Sequence, residues 1–274
     1  MTKIGLRLRL FSRRRFDAEA AAKQLRFLLD YAGGIFRPDE CGAYEPYEPF
    51  RESEFESYVS WVTAPGWGFG FHHLPPPFAV RGHLDNLLLP EIFTTEPGST
   101  GSHPMAQSVP DPVFCIRWGL RMSVAATDFP GTEFFKDLLC DACRVSRADY
   151  GMIANEGDFK NKHFSSVRRG DATIEEYLGT DPAQGLPGLY WMNFFGPMYV
   201  AWFGPGKIAR LAGVAEAAVL LEGALYLRFG DGPEDFGSER VSHQLREAIR
   251  IFGETAFFDI NRPNRVLDVP VDLR

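Results

Sequence analysis

GLPGLYWMNFFGPMYVAWFG, residues 185–204, is the stretch of sequence that decides how this chain folds. It contains seven aromatic side chains, and no charged residue occurs between Asp181 and Lys207. The uncharged run is long enough for a membrane span, but glycine and proline recur along it and would break the continuous helix that lipid requires. A membrane segment is therefore not predicted.

The pattern within this stretch predicts a buried strand followed by a short helix. Leu189–Phe195 has the apolar character of a strand, and Pro197 after Gly196 suits the first turn of a helix that runs through Phe203. We expect the aromatic side chains to lie mostly in the core, with Asn193 satisfying buried backbone groups near the turn. The alternative is an exposed aromatic patch, which would mark an interface.

Composition and charge limit the class of protein. A chain of 274 residues forms one large domain or two small ones, and 45% hydrophobic residues with 24 Phe supply a substantial core. The net charge of -7 has the wrong sign for broad nucleic-acid binding. The N-terminus is basic but has no uninterrupted apolar segment or cleavage site of a secretory signal, so we expect a cytoplasmic protein with reduced thiols.

Alternating and helical patterns define the main elements. Alternation over Lys3–Phe11 and Val113–Ala125 predicts strands, whereas helical spacing over Ala18–Tyr31, over Thr132–Ser146 and after Ser238 predicts three main helices. Other segments predict a hairpin around Glu222–Gly223, a long loop over Thr94–Pro112, a charged loop through Lys160–Arg169 and a short helix near Ile174–Leu178.

This order of elements predicts an α+β fold. We expect one domain over residues 1–274, with mixed or largely antiparallel sheets and about three main helices packed on one side. An internal division near residues 155–185, and a pseudo-repeat of two strand–helix halves, are compatible with the same order. No sequence self-similarity supports the repeat.

Two groups of residues are candidates for a catalytic or metal site. Cys140 and Cys143 form a CxxC that falls inside a predicted helix and does not open one, which favours packing over redox chemistry. The spacing of the histidines matches no ligand motif, and the chain contains no P-loop, GxSxG or HExxH. We predict no catalytic site, no metal and no cofactor. The alternative is a metal- or thiol-dependent enzyme that uses these cysteines or His72, His73, His83 and Asp85.

Two acidic loops have the composition of a partner-binding surface. Carboxylates attract a basic partner, and tyrosine supplies contact area at low entropic cost, although each loop taken singly is as typical of a solvated charged face. The first candidate residues are Glu45, Tyr47, Glu48, Glu52 and Glu54, and the second group is Asp231, Glu234 and Asp235.

The aromatic stretch also carries a resemblance to a known family. PGLYWMNFFGP, residues 187–197, followed by Tyr199–Val200 and Phe203–Gly204, resembles a segment of the type VI immunity proteins, which are the cognate antitoxins of polymorphic and type VI secreted toxins. Residues 253–259, where a helix ends at glycine before Phe-Phe-Asp, and residues 28–31 are similar to that family as well.

The resemblance implies a function in toxin neutralisation. Such a protein performs no catalysis, binds one secreted toxin tightly in the bacterial cytoplasm, and occludes or distorts the active site of the toxin. The family diverges where its members meet their toxins, so the resemblance assigns no interface residue. Besides the enzyme, a structural component of a secretion apparatus stays open as an alternative.

Overall fold

The computed structural model describes residues 3–13, 17–64, 68–74, 78–85, 115–169, 172–177, 179 and 185–259. The loop predicted over Thr94–Pro112 lies outside these ranges. The described strands are β1 (Lys3–Ser12), β2 (Glu40–Gly42), β3 (Glu48–Pro49), β4 (Gly68–His73), β5 (Phe78–Asp85), β6 (Cys115–Ala125), β7 (Tyr150–Asn155), β8 (Phe164–Arg169), β9 (Ala172–Tyr177), β10 (Met192–Phe195), β11 (Ala217–Leu221) and β12 (Ala224–Arg228). The described α-helices are α1 (Ala18–Asp30), α2 (Phe55–Thr63), α3 (Thr132–Ser146), α4 (Glu156–His163), α5 (Pro197–Ala212) and α6 (Glu239–Phe252).

Ten strands form one antiparallel sheet in the order β11-β12-β10-β7-β1-β6-β5-β4-β2-β3. β1 lies near the middle of the sheet because Leu6, Leu8 and Leu10 alternate along it and are all buried on one face. β8 and β9 pair as a separate hairpin. The predicted α+β class and largely antiparallel sheet are confirmed.

Helices cover both faces of the sheet, so the prediction of about three helices on one side is wrong. α1, α2 and α3 pack on one face, whereas α4, α5 and α6 pack on the other. Successive residues of β12 show the two faces: Tyr226 belongs to the first core, and Leu225 and Leu227 belong to the second. The two extra helices of the second face lack a clean apolar stripe, since α4 reads EGDFKNKH and α5 is interrupted by Gly204–Pro205.

The segment after β7 also differs from the sequence prediction. Residues 156–163, which overlap the predicted charged loop, form α4, whose N-cap Asn155 accepts a hydrogen bond from the Gly157 N–H at 2.8 Å. The short helix predicted near Ile174–Leu178 is wrong where the structure describes it, because residues 174–177 belong to β9, where the β-branched Ile174 suits a strand. Leu178 lies outside the described residues.

The aromatic stretch around β10 forms part of both cores, as predicted. Tyr190, Phe195 and Tyr199 are completely buried, and Trp191 and Phe194 pack on the opposite face against α3. These large side chains fix where the helices of both layers meet the sheet, because packed cores tolerate little change of volume.

Asn193 makes the predicted contacts with buried backbone groups. Its Oδ1 accepts a hydrogen bond from the Tyr190 N–H at 3.0 Å, and its Nδ2 donates to the Tyr190 carbonyl at 2.8 Å. Both groups lie in the interior, where an unpaired N–H or carbonyl would be costly. A polar side chain in this apolar strand therefore stabilises the turn before β10.

α5 continues well beyond the predicted end at Phe203. Gly204 adopts a non-helical conformation with φ 69°, after which the helix resumes with Pro205 in its first turn. Within the ranges that the structure describes, no helix combines the length and the apolar character needed to cross a bilayer.

Candidate partner-binding surface

The first acidic loop lies at the β2–β3 edge of the sheet, and about half of its charge is used inside the fold. The Glu52 carboxylate accepts hydrogen bonds from both Arg26 and Arg37, and Glu54 accepts from Arg51 at 2.9 Å. Glu45 and Glu48 are exposed, and no ion pair joins either of them to another described residue. Of the four predicted glutamates, Glu45 and Glu48 are therefore the two whose charge is not used in an ion pair among the described residues.

Tyr47 lies between these two glutamates and is half-buried on the face of the sheet opposite α1–α3. Its ring is 4.8 Å from the His72 ring, and its hydroxyl occupies the space that a Cβ on Gly70 would fill. Burial, followed by the Glu45 carboxylate, raises the pKa of Tyr47. The ring is thus held in one place and is neutral at physiological pH.

The second acidic loop follows β12 and serves local structure. The Asp235 Oδ2 accepts hydrogen bonds from the N–H groups of Asp231 and Gly232 at 2.8 and 3.2 Å. Arg240 donates to Asp231 at 2.7 Å, and Glu234 is exposed. The 3₁₀ turn in this loop contacts β1 and β7, far along the sheet from β2 and β3. The eight predicted residues therefore belong to two separate surfaces.

The sequence analysis missed a row of basic residues. It lies on the face of the sheet opposite α1–α3, and we call the part of that face formed by β4, β5 and β6 the open face. His72, Arg81, Arg121 and Arg7 are register partners across β4, β5, β6 and β1, so their side chains share one face. Arg7 is buried and bonds in bidentate fashion to Glu156 at 2.7 and 2.9 Å. Arg81 and Arg121 are exposed, and no carboxylate of the described residues pairs with them.

Like charges directly opposite one another on neighbouring strands are destabilising, so this arrangement has a cost. At the β1 end the repulsion between arginines is partly offset by cation–π contacts. The guanidinium carbons of Arg7 and Arg9 lie 4.3 and 4.9 Å from the centre of the Phe159 ring. Arg81 and Arg121 have no such contact among the described residues. They are available to bind anionic groups of a partner.

The histidines of the enzyme alternative are not brought together. His72 and His83 share the open face, whereas His73 alternates to the other face of β4. Burial, followed by Arg9, Arg121 and Arg7, lowers the pKa of His83 to about 4, and the same positive field opposes a cation. Among the described residues, no group of three or more His, Cys, Asp or Glu side chains is placed to hold a metal ion. The side chain of Asp85 lies outside the described set.

The two cysteines of the CxxC lie within α3, as predicted, and face the core. Burial, followed by Asp141, raises the pKa of Cys140 to about 11, and burial raises the pKa of Cys143 well above its usual range. A reactive thiol needs a lowered pKa. Both thiols are therefore protonated at neutral pH.

Tyr47 and the unpaired charges on its side of the sheet form one surface. We call it the Tyr47 surface, and it consists of Glu45, Tyr47, His72, Arg81 and Arg121. Glu48 is the register partner of the buried Cys41, so it lies at the β3 edge and faces the other side of the sheet. The signal of the Tyr47 surface in the sequence is weak: Arg81 and Arg121 each occupy the polar phase of an alternating strand, where a solvated charge is ordinary. Only the register shows that they are neighbours.

Comparisons with known proteins give little further information. No protein-family model matches the chain, and no curated protein matches it. A solved structure, the Pseudomonas aeruginosa T6SS protein PA0821, aligns with a TM-score of 0.49 at 9% sequence identity, covering 90% of this chain and 73% of that chain.

Proposed function

We propose that this chain is an immunity protein that neutralises a cognate bacterial toxin by direct stoichiometric binding. The family is suggested by the resemblance of residues 187–197 to type VI immunity proteins. The observation that carries the proposal is the Tyr47 surface, which presents charges that the fold leaves without internal partners around a half-buried tyrosine. The protein would act in the cytoplasm, without catalysis, by occluding the active site of the toxin.

The composition of the Tyr47 surface supports protein binding. Tyrosine and arginine are enriched among the residues that contribute most to protein–protein affinity. Glu45 at the edge would meet basic groups of the toxin, and Arg81 and Arg121 on the open face would meet acidic ones. A surface with both signs rejects partners that lack the matching pattern, as an immunity protein must.

The test is co-expression of the tagged protein with the product of the adjacent gene, followed by purification and mass spectrometry. We expect a one-to-one complex and relief of toxicity. Tyr47→Ala should weaken binding by roughly 30-fold if Tyr47 is a hot spot. Glu45→Lys and Arg81→Glu should each slow association and change its salt dependence.

Matched control variants reverse one negative and one positive charge outside the Tyr47 surface. Asp137→Lys on α3 and Arg210→Glu on α5 alter exposed residues that make no ion pair within the described ranges, and they should leave binding unchanged. If every variant of the Tyr47 surface binds like the wild type, this surface is not the interface. If the neighbour fails to bind and the purified protein carries stoichiometric metal that His83→Ala removes, the enzyme alternative replaces the proposal.

A further inference from the structure

A cavity lies at the end of the sheet remote from the Tyr47 surface. It is enclosed by the C-terminal turn of α3, the start of α5 and the β11–β12 turn, and its volume is about 470 Å³. Cavities of roughly 300–1,000 Å³ are typical of small-molecule sites. The position and the volume suit a small ligand, whereas the Tyr47 surface suits a protein.

Part of the lining of this cavity is apolar. It includes Phe194 of β10, Pro197 and Met198 of α5, and Leu221 of β11, and Phe194 is only 7% exposed. The thiol of Cys143, which also lines the cavity, is protonated and behaves as a small apolar group. This wall can bury a hydrocarbon chain but offers it no hydrogen bond.

The lining also contains charged residues, and one of their guanidinium groups has no carboxylate partner among the described residues. Arg13 bonds to Asp149 at 3.1 Å, and Arg144 bonds to Asp141 at 2.7 Å. Arg144 also approaches Glu222 at 3.6 Å. Arg147 lines the cavity and is exposed, and no carboxylate of the described residues pairs with it.

Backbone strain is concentrated at the same place. Arg147 has φ 50° and Glu222 has φ 50°, and with Ala32 these are the non-glycine residues with positive φ in the described part of the chain. The left-handed region costs an L-residue energy, and helices usually end there with glycine. Each has a local cause, because Arg147 is the left-handed C-cap of α3 and Glu222 opens the two-residue turn of the β11–β12 hairpin. Both residues line the cavity, so these turns fix where their side chains begin.

We infer that this cavity, the Arg147 pocket, binds a small amphipathic carboxylate. The alkyl chain lies against Phe194, Met198 and Leu221, and the carboxylate accepts hydrogen bonds from the Arg147 guanidinium. The charge of Arg147 selects an anion, and the apolar wall selects a chain over a compact polar anion. This site is independent of toxin binding and does not require that the protein be an immunity protein.

The experiment is a calorimetric titration of the full-length protein with alkyl carboxylates of six, eight and ten carbons. Affinity should rise about fourfold for each added methylene, because each is buried against the apolar wall. Octylammonium, which has the opposite charge, should bind at least about tenfold more weakly than octanoate. Arg147→Gln should reduce octanoate affinity about tenfold or more, while Arg210→Gln, a matched exposed arginine on α5, should not change it.

Three results would overturn the inference. They are the absence of octanoate binding at millimolar concentration, equal binding of octanoate by Arg147→Gln and wild type, and an affinity that does not depend on chain length. The titration does not involve the toxin, so its failure and the failure of the proposed function are separate outcomes.

Discussion

Replacing Arg147 with glycine should make the protein more stable while it removes the charge of the pocket. Arg147 follows the last turn of α3 with φ 50° and ψ 45°, and its N–H donates to the carbonyls of Arg144 and Cys143. Its own carbonyl accepts a hydrogen bond from the Ser12 hydroxyl at 3.3 Å. These are backbone contacts, so glycine keeps all of them.

The expected gain follows from two opposing terms. Placing an L-residue in the left-handed region costs about 1–2 kcal/mol, which glycine avoids. Glycine also gives the unfolded chain more conformational freedom, which reduces this gain in stability by about 0.5–1 kcal/mol. The net change is a gain of about 0.5–1 kcal/mol in the free energy of unfolding. The side chain itself is exposed, so its loss should contribute little.

Urea unfolding followed by circular dichroism measures this change, and Arg147→Ala is the matched control. Alanine removes the guanidinium but keeps the Cβ and hence the strain, so it should be about 1 kcal/mol less stable than the glycine variant. Both variants should lose octanoate affinity equally. If alanine and glycine are equally stable, or if glycine is less stable than the wild type, the argument from backbone strain fails.

Three further changes test the interior and the open face. Glu156→Gln leaves the buried Arg7 without its carboxylate and should lower the free energy of unfolding by about 2–3 kcal/mol, seen as a lower urea midpoint. Asn193→Ala leaves two buried backbone groups unpaired and should cost about 2–3 kcal/mol, whereas a cost near zero would refute their burial. The pKa of His83 is lowered from 6.5 to about 4, so the unfolded chain binds a proton that the folded chain does not. Stability should therefore fall by about 1–2 kcal/mol, after allowance for solvent screening, as the pH drops from 6.5 to 4, and His83→Gln should remove that slope.

Local patterns account for the elements that the sequence predicts correctly. The alternating leucines predict β1, and Asp17 and Ser238 each accept a hydrogen bond from the first turn of the helix they precede, as capping residues do. α4 could not be predicted because its single buried aromatic, Phe159, packs through tertiary contacts with Arg7 and gives no periodic signal.

The surfaces depend on information that is absent from local sequence. The distinction between the free Glu48 and the paired Glu52 requires the position of α1 relative to the loop. Arg81 and Arg121 become neighbours only through the register of β5 and β6, and the left-handed conformation of Arg147 has no marker in its residue type. Residue type predicts whether a side chain is buried or charged, whereas the side chains that lie next to it depend on the topology of the fold.

The position of β1 between β6 and β7 has a consequence for the order in which the chain can fold. Residues 3–12 are synthesised before both of their partner segments, which are residues 115–125 and 150–155. Leu6, Leu8 and Leu10 therefore have no sheet to join until both partner strands have been synthesised. Contacts between residues so far apart in sequence slow folding, and until they form, both edges of β1 are open to pairing with a wrong strand.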